Sequence, residues 1–135
     1  MSALRFQPIE GRTEEIIDAI LQVPEVASCT STLYAIHLVC EELVMNVVSY
    51  AYSEAEKGWL NVDICKTDDL LVITFMDGGV AFNPLEQEQP DITLPLEERK
   101  IGGLGIFLTQ QMMDEVTYRR ENNQNILTIK KKISE

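Results

Sequence analysis

Disulfide, zinc and polyanion-binding chemistry all lack their usual residues in this chain. The three cysteines, Cys29, Cys40 and Cys65, are odd in number, widely spaced and without a CxxC pair. That speaks against a disulfide framework or a zinc site and leaves them as reduced packing residues. Basic residues are few, 11 against 22 acidic ones, for a formal charge of -11. A surface that negative repels nucleic-acid phosphates and anionic headgroups, so the expected partners include no nucleic acid and no membrane. The longest apolar stretch, Leu70 to Met76, is far too short to span a bilayer. MSALRFQPIEGR at the N-terminus has no basic start leading into an apolar run. The expectation is a cytoplasmic protein. No period of about 20 to 50 residues repeats, which sets solenoids aside.

What is present is an ordinary globular composition. The 135 residues are 45% hydrophobic and 24% charged, with a mean hydropathy of -0.04, enough apolar surface for one core in one domain spanning residues 1–135. The charge is uneven: residues 1–90 hold 15 acids and 4 bases, whereas residues 91–135 hold 7 of each.

Helical and strand periodicities alternate along the chain. Leu4 to Pro8 reads as a short strand, and Glu10 to Leu21 as a helix ending near Pro24. Thr30 or Ser31 is placed to cap a longer helix running to about Tyr52, because Leu33, Ile36, Cys40, Leu43, Val44, Val47, Val48 and Ala51 recur at steps of three and four. Trp59 to Lys66 and Leu70 to Met76 read as a β-hairpin. Residues 78–102 form a long loop with little periodicity, a lid candidate. A helix from Leu104 to Met113 follows, then strands Val116 to Arg120 and Ile126 to Ile133 around a turn at Asn122 to Asn125. The sum is an α+β fold, a two-layer sandwich with helices on one face of a mixed, mainly antiparallel sheet.

Glycine placement is the sharpest chemical clue. Five of the seven glycines fall in two clusters, Gly78 and Gly79, then Gly102, Gly103 and Gly105. Glycines ahead of a helix present free amides to an anion, although plain turns account for glycine clusters equally well. There is no GxxxxGK[ST], and Leu108 stands where a dinucleotide fingerprint needs its third glycine. On the long helix Glu42, Asn46 and Tyr50 are four apart and share one face. A carboxamide oxygen there suits a hard cation and a carboxylate suits a general base; a solvated helix face is the alternative, and it is the reading adopted for Glu41. Asp77 ends a buried strand just before Gly78 and Gly79, placed to accept a hydrogen bond from an exocyclic amine, although DGG is also an ordinary turn.

Taken in order, EELVMNVVSYAY, DGGVAFNP and IGGLGIFL resemble the N, G1 and G2 boxes of the GHKL (Bergerat-fold) ATPase and kinase superfamily, most closely the bacterial anti-sigma factor serine/threonine kinases. The resemblance covers most of the chain and implies an N box at 42–52, a G1 box at 77–84, an ATP lid at 85–101 and a G2 box at 102–106. It makes Asn46 the Mg²⁺ ligand and Glu42 the catalytic base or water-holding acid, with Asp77 reading adenine beside Gly79. Phe82 of the G1 box joins the same ATP site, as do Gly102, Gly103, Leu104 and Gly105, which meet the phosphates. Arg99 and Lys100 are the lid cations nearest a γ-phosphate, and Thr128 lines the adenine pocket unless it is an inward-facing core residue. The chain departs from the family at Tyr50, where a histidine is frequent, and at Val47, where a small residue is common. His37, the only histidine, falls outside the boxes and reads as a structural or surface residue.

The activity this implies is that of an ATP-dependent serine/threonine kinase that phosphorylates an anti-anti-sigma (STAS-type) protein, sequesters a sigma factor and forms a homodimer through its first strand and helix. The alternative is a nucleotide-gated binding module that regulates its partner without phosphotransfer.

Overall fold

Alternation of apolar residues makes one side of each central strand insoluble, and the helices cover that side. In the computed structural model, which describes residues 1–8, 11–48, 52, 58–81, 83 and 109–133, five strands form one sheet: β1 (Ser2–Phe6), β2 (Leu60–Lys66), β3 (Leu70–Asp77), β4 (Glu115–Glu121) and β5 (Gln124–Lys132). Their order is β1-β2-β3-β5-β4, and all four pairings are antiparallel. Leu60, Val62, Ile64, Leu71, Ile73, Phe75, Leu127 and Ile129 share the inner face and are buried. Burial of each such side chain contributes about 1.5–3 kcal/mol.

Against that face lie α1 (Thr13–Gln22), α2 (Pro24–Ala27) and α3 (Leu33–Asn46), which bury Ile16, Ile17, Ile20, Val26, Ile36, Val39, Cys40, Leu43 and Val44 in the same cluster. The expected α+β architecture is present. No described helix is long and apolar enough to cross a membrane.

α1 ends near Pro24 as expected, and other local expectations are extended or corrected. Pro24 does more than end α1, because its fixed φ and missing N–H suit a first helical turn; it opens α2 after Val23 has turned extended. Neither Thr30 nor Ser31 caps α3: residues Thr30–Thr32 form a 3₁₀ turn, and Thr32, the capping position, donates its hydroxyl back to the Cys29 carbonyl at 3.0 Å. Cys65 is exposed rather than packed, while Cys29 and Cys40 are buried, and burial pushes the Cys40 thiol up to about 12. Tyr52 lies beyond the helix. Of the expected helix Leu104 to Met113, residues 109–113 are described; 109–112 are helical and Met113 lies past the helix end.

Ser2 Oγ donates to both Glu25 carboxylate oxygens at 2.9 Å and fastens β1 to α2. At the other edge, Asn122 and Asn123 have φ of 52 and 62, the pair of left-handed residues that a two-residue hairpin turn with matching twist requires. Asn-Gly suits such a turn better than Asn-Asn. Asn123→Gly is therefore expected to raise stability by up to about 1 kcal/mol, read as a higher Tm; a lower Tm would show that the Asn123 side chain holds the turn.

Candidate functional site

Register sets the site before any side chain is considered. In the β3–β5 pairing Asp77 stands opposite Asn125, and in the β2–β3 pairing it stands opposite Leu60. Strand alternation turns Asp77 toward the helix-covered face, where it is 6% exposed. Its Oδ1 accepts from the Gly79 amide at 2.9 Å and from Asn125 Nδ2 at 3.0 Å. Oδ2 has no protein partner among the described residues. Burial pushes this carboxyl above its ordinary range, and the Asn125 and Gly79 hydrogen bonds and the Arg120 charge pull it back.

Asn125 is itself held on all sides. Nδ2 also donates to the Val80 carbonyl at 2.7 Å. Oδ1 accepts from the Tyr118 hydroxyl and from Arg120 Nη1 at 3.2 Å, and the same Arg120 nitrogen donates to the Gly79 carbonyl at 2.8 Å. The β4–β5 hairpin thus grips the turn that follows Asp77. None of Tyr118, Arg120 and Asn125 stands out in the sequence. A signal was available: asparagine is depleted in strands, and pairing β5 with β3 puts Asn125 beside the strand-ending acid.

Thr128 is a correction. It is an odd number of residues from Asn125 on the same strand, so it faces the opposite side of the sheet. There its Oγ1 lies 3.4 Å from Thr74 Oγ1, away from Asp77 and the helices. It neither lines a pocket at Asp77 nor joins the core.

A second cluster joins the end of the long-helix segment to the same turn. The Tyr52 hydroxyl donates to the Trp59 carbonyl at 2.7 Å and accepts from the Trp59 amide at 3.1 Å and the Gly78 amide at 2.8 Å. A Cβ on Gly78 would sit 2.9 Å from Trp59 Nε1, and one on Gly58 would sit 2.3 Å from the Tyr52 ring. Close approach, not positive φ, requires these two glycines. The Arg5 guanidinium lies 5.2 Å from the Trp59 ring centroid and closes the stack from β1.

Glu42 and Asn46 are half-buried on α3. Among the described residues Glu42 Oε1 is buried without a hydrogen-bond partner. Desolvation raises the carboxyl above its ordinary value, opposed by a hydrogen bond from Asn46. A carboxamide that donates through Nδ2 keeps Oδ1 as an acceptor for a cation, so these two residues fit a divalent ion and a proton acceptor side by side. Among the described residues there is no group of three or more His, Cys, Asp and Glu that could hold a metal; an ion at Asn46 would take its remaining oxygens from elsewhere. Glu41 pairs with His37 at 3.0 Å, both about half exposed, the solvated role expected for each. Tyr50, Phe82, Arg99, Lys100, Gly102, Gly103, Leu104 and Gly105 lie outside the described residues, as does the 85–101 segment.

The two-layer architecture, an acid closing the central strand and an acid–amide line on the longest helix are the features that the resemblance to ATPase- and kinase-type domains leads one to expect. Comparison with known proteins narrows that class. The chain belongs to the histidine kinase-like ATPase domain family, which matches residues 9–131. It is similar to the serine/threonine-protein kinase BtrW of Bordetella bronchiseptica, 24% identical over 96 residues that cover 71% of this chain and 68% of that one. It is also similar to the anti-sigma F factor of Geobacillus stearothermophilus, 24% identical over 110 residues, 82% of this chain and 75% of that one. Among solved structures, the histidine kinase domain of a blue-light activated histidine kinase of Erythrobacter litoralis shares the fold, with a TM-score of 0.59 and 18% identity. That match covers 91% of this chain and 58% of the histidine kinase chain. The resemblance read from the three boxes is thereby shown.

Glu42 carries a pH dependence whose sign can be worked out. A carboxyl raised by folding binds more protons in the native than in the unfolded state, so stability falls as pH rises from the ordinary carboxylate range through the raised one. Glu42→Gln removes that loss. Its Tm at neutral pH is expected to equal or exceed that of the wild type, with a flatter Tm-against-pH curve on the acid side; a Tm several degrees lower would show that the carboxylate is stabilising.

Proposed function

We propose that the protein binds Mg·ATP and transfers its terminal phosphoryl group to a serine or threonine of an anti-anti-sigma (STAS-type) protein, and that it sequesters a sigma factor. Membership of the ATPase family and similarity to proteins named as a serine/threonine kinase and an anti-sigma factor support this reading. The single observation that carries the transfer step is the buried Oε1 of Glu42, which has no partner among the described residues and lies next to Asn46. A carboxylate whose desolvation raises its basicity is suited to take a hydroxyl proton.

In this scheme the N box is 42–52, the G1 box 77–84, the lid 85–101 and the G2 box 102–106. Asp77 accepts from the adenine amine through Oδ2, and Gly79 allows the ring to approach the backbone. Gly102, Gly103, Leu104 and Gly105 bind phosphate with their amides, Phe82 lines the site, and Arg99 and Lys100 answer the terminal phosphate from the lid. Magnesium held by Asn46 would supply charge neutralisation at the phosphates. Glu42 orients the attacking hydroxyl and holds its proton. Catalysis of this kind rests on positioning and electrostatics. A cytoplasmic homodimer joined through β1 and α1 belongs to the same proposal.

Mg·ATP at millimolar concentration is expected to raise the Tm, and the rise should need the metal. With γ-labelled ATP and an anti-anti-sigma domain, label should appear on that domain with the wild type and fall by about 100-fold or more with Glu42→Ala. Equal labelling by the variant would remove Glu42 from the role of base. A thermal shift with no labelling would leave a nucleotide-gated binding module, the reading that Tyr50 in place of histidine favours. No thermal shift would overturn both.

A further inference from the structure

Asn125 is a buried carboxamide with every hydrogen-bonding position in use. Its two Nδ2 hydrogens go to Asp77 Oδ1 and the Val80 carbonyl, and its Oδ1 takes the Tyr118 hydroxyl and Arg120 Nη1. A group so committed has nothing left with which to contact a ligand. Its evident effect is on Asp77, one carboxylate oxygen of which is occupied and tied to β5. Arg120 reinforces this from β4, because the nitrogen that meets Asn125 Oδ1 also meets the Gly79 carbonyl.

We propose that Asn125 and Arg120 form a lock that fixes the 77–80 turn on the β4–β5 hairpin, and that they are positioning residues through which Asp77 presents a single open oxygen to a nucleobase amine. The inference rests on the proposed binding of ATP at Asp77. It adds that recognition of the base is set by residues that never touch it.

The groups facing Asp77 limit what a titration can report. From β4 it sees the Arg120 charge; β5 presents the neutral Asn125, and β2 presents Leu60. Tyr118 and Tyr52 are one contact further away, on Asn125 and Gly78. Removing the Asn125 amide takes away a hydrogen bond that favours the ionised carboxylate, so Asp77 then takes up its proton at a higher pH.

The test uses the full chain and a ribose-labelled fluorescent ATP with Mg²⁺, titrated across the acid-to-neutral range. Asn125→Ala is expected to weaken binding about tenfold, the loss typical of a buried hydrogen-bonded partner, and to move the acid-side midpoint of affinity to higher pH. In a phosphotransfer assay KM for ATP should rise by the same factor with kcat within about twofold, the pattern of lost uniform binding. Tyr118→Phe, a milder change that keeps the ring, should shift both readouts in the same direction by about threefold. Arg119→Ala, which removes an equal charge on the opposite sheet face, should bind like the wild type. Wild-type affinity and an unmoved midpoint in folded Asn125→Ala would overturn the lock, as would a lower Tm with affinity intact or a fall in kcat at constant KM. Where Asn125→Ala does not fold, the same outcomes are read from Tyr118→Phe. Failure of the wild type to bind the labelled ATP would overturn the underlying reading instead.

Discussion

The hydrogen bond from Asn125 to Asp77 joins β5 to the central strand β3 at the place where, among the described residues, the sheet carries a carboxyl group into the interior. Asp77 is the last residue of β3 and is 6% exposed. A carboxylate so placed is costly unless it is partnered. The amides of Asn125 and Gly79 and the charge of Arg120 supply that compensation, and each comes from a different piece of chain. Register between β3 and β5, the asparagine turn that sets the β4–β5 register, and the glycine turn after β3 must therefore all be right together. The sheet's geometry and the site's chemistry are one constraint.

Compensation is partial by construction. Among the described residues, the hydrogen bonds to Asp77 fall on Oδ1 and leave Oδ2 open, and Glu42 Oε1 is buried without a partner. Both carboxyls are held above their ordinary range by desolvation. An isolated domain gains nothing from such groups, whereas a ligand with a hydrogen-bond donor or a cation can satisfy them. Perturbed acids concentrate where chemistry is done for this reason. Tyr52 shows the converse: its hydroxyl satisfies three backbone groups at once and ties its segment to the turn after β3, while Trp59 lies against Gly78 and Arg5 lies over the Trp59 ring.

Much of this was legible in the sequence. The alternation in β2 and β3, the steps of three and four in α3 and the paired asparagines after β4 are local patterns, and they placed the strands, the long helix and the last turn to within a few residues. Glu42, Asn46 and Asp77 stood out because polar groups interrupt apolar runs there. What was missed is non-local. Nothing near Asn125 in the chain marks it; only the pairing of β5 with β3 brings it to Asp77, across 48 residues. Thr128 misled for the same reason, since the face of a strand residue depends on register and a slip of one reverses it. The capping role given to Thr30 or Ser31 failed because the chain enters α3 through a 3₁₀ turn, which residue preferences at the cap do not reveal.

The division of labour on Asp77, one oxygen for the protein and one for a base amine, can be measured directly. Isothermal titration of the full chain with Mg²⁺ would compare ATP with inosine triphosphate, in which a carbonyl replaces the exocyclic amine. A buried acceptor left facing another acceptor loses its hydrogen bond and is not repaid by water, so ATP should bind at least about tenfold more tightly. Equal affinity for the two nucleotides would contradict the account, because it would mean that the open oxygen of Asp77 does not read the base.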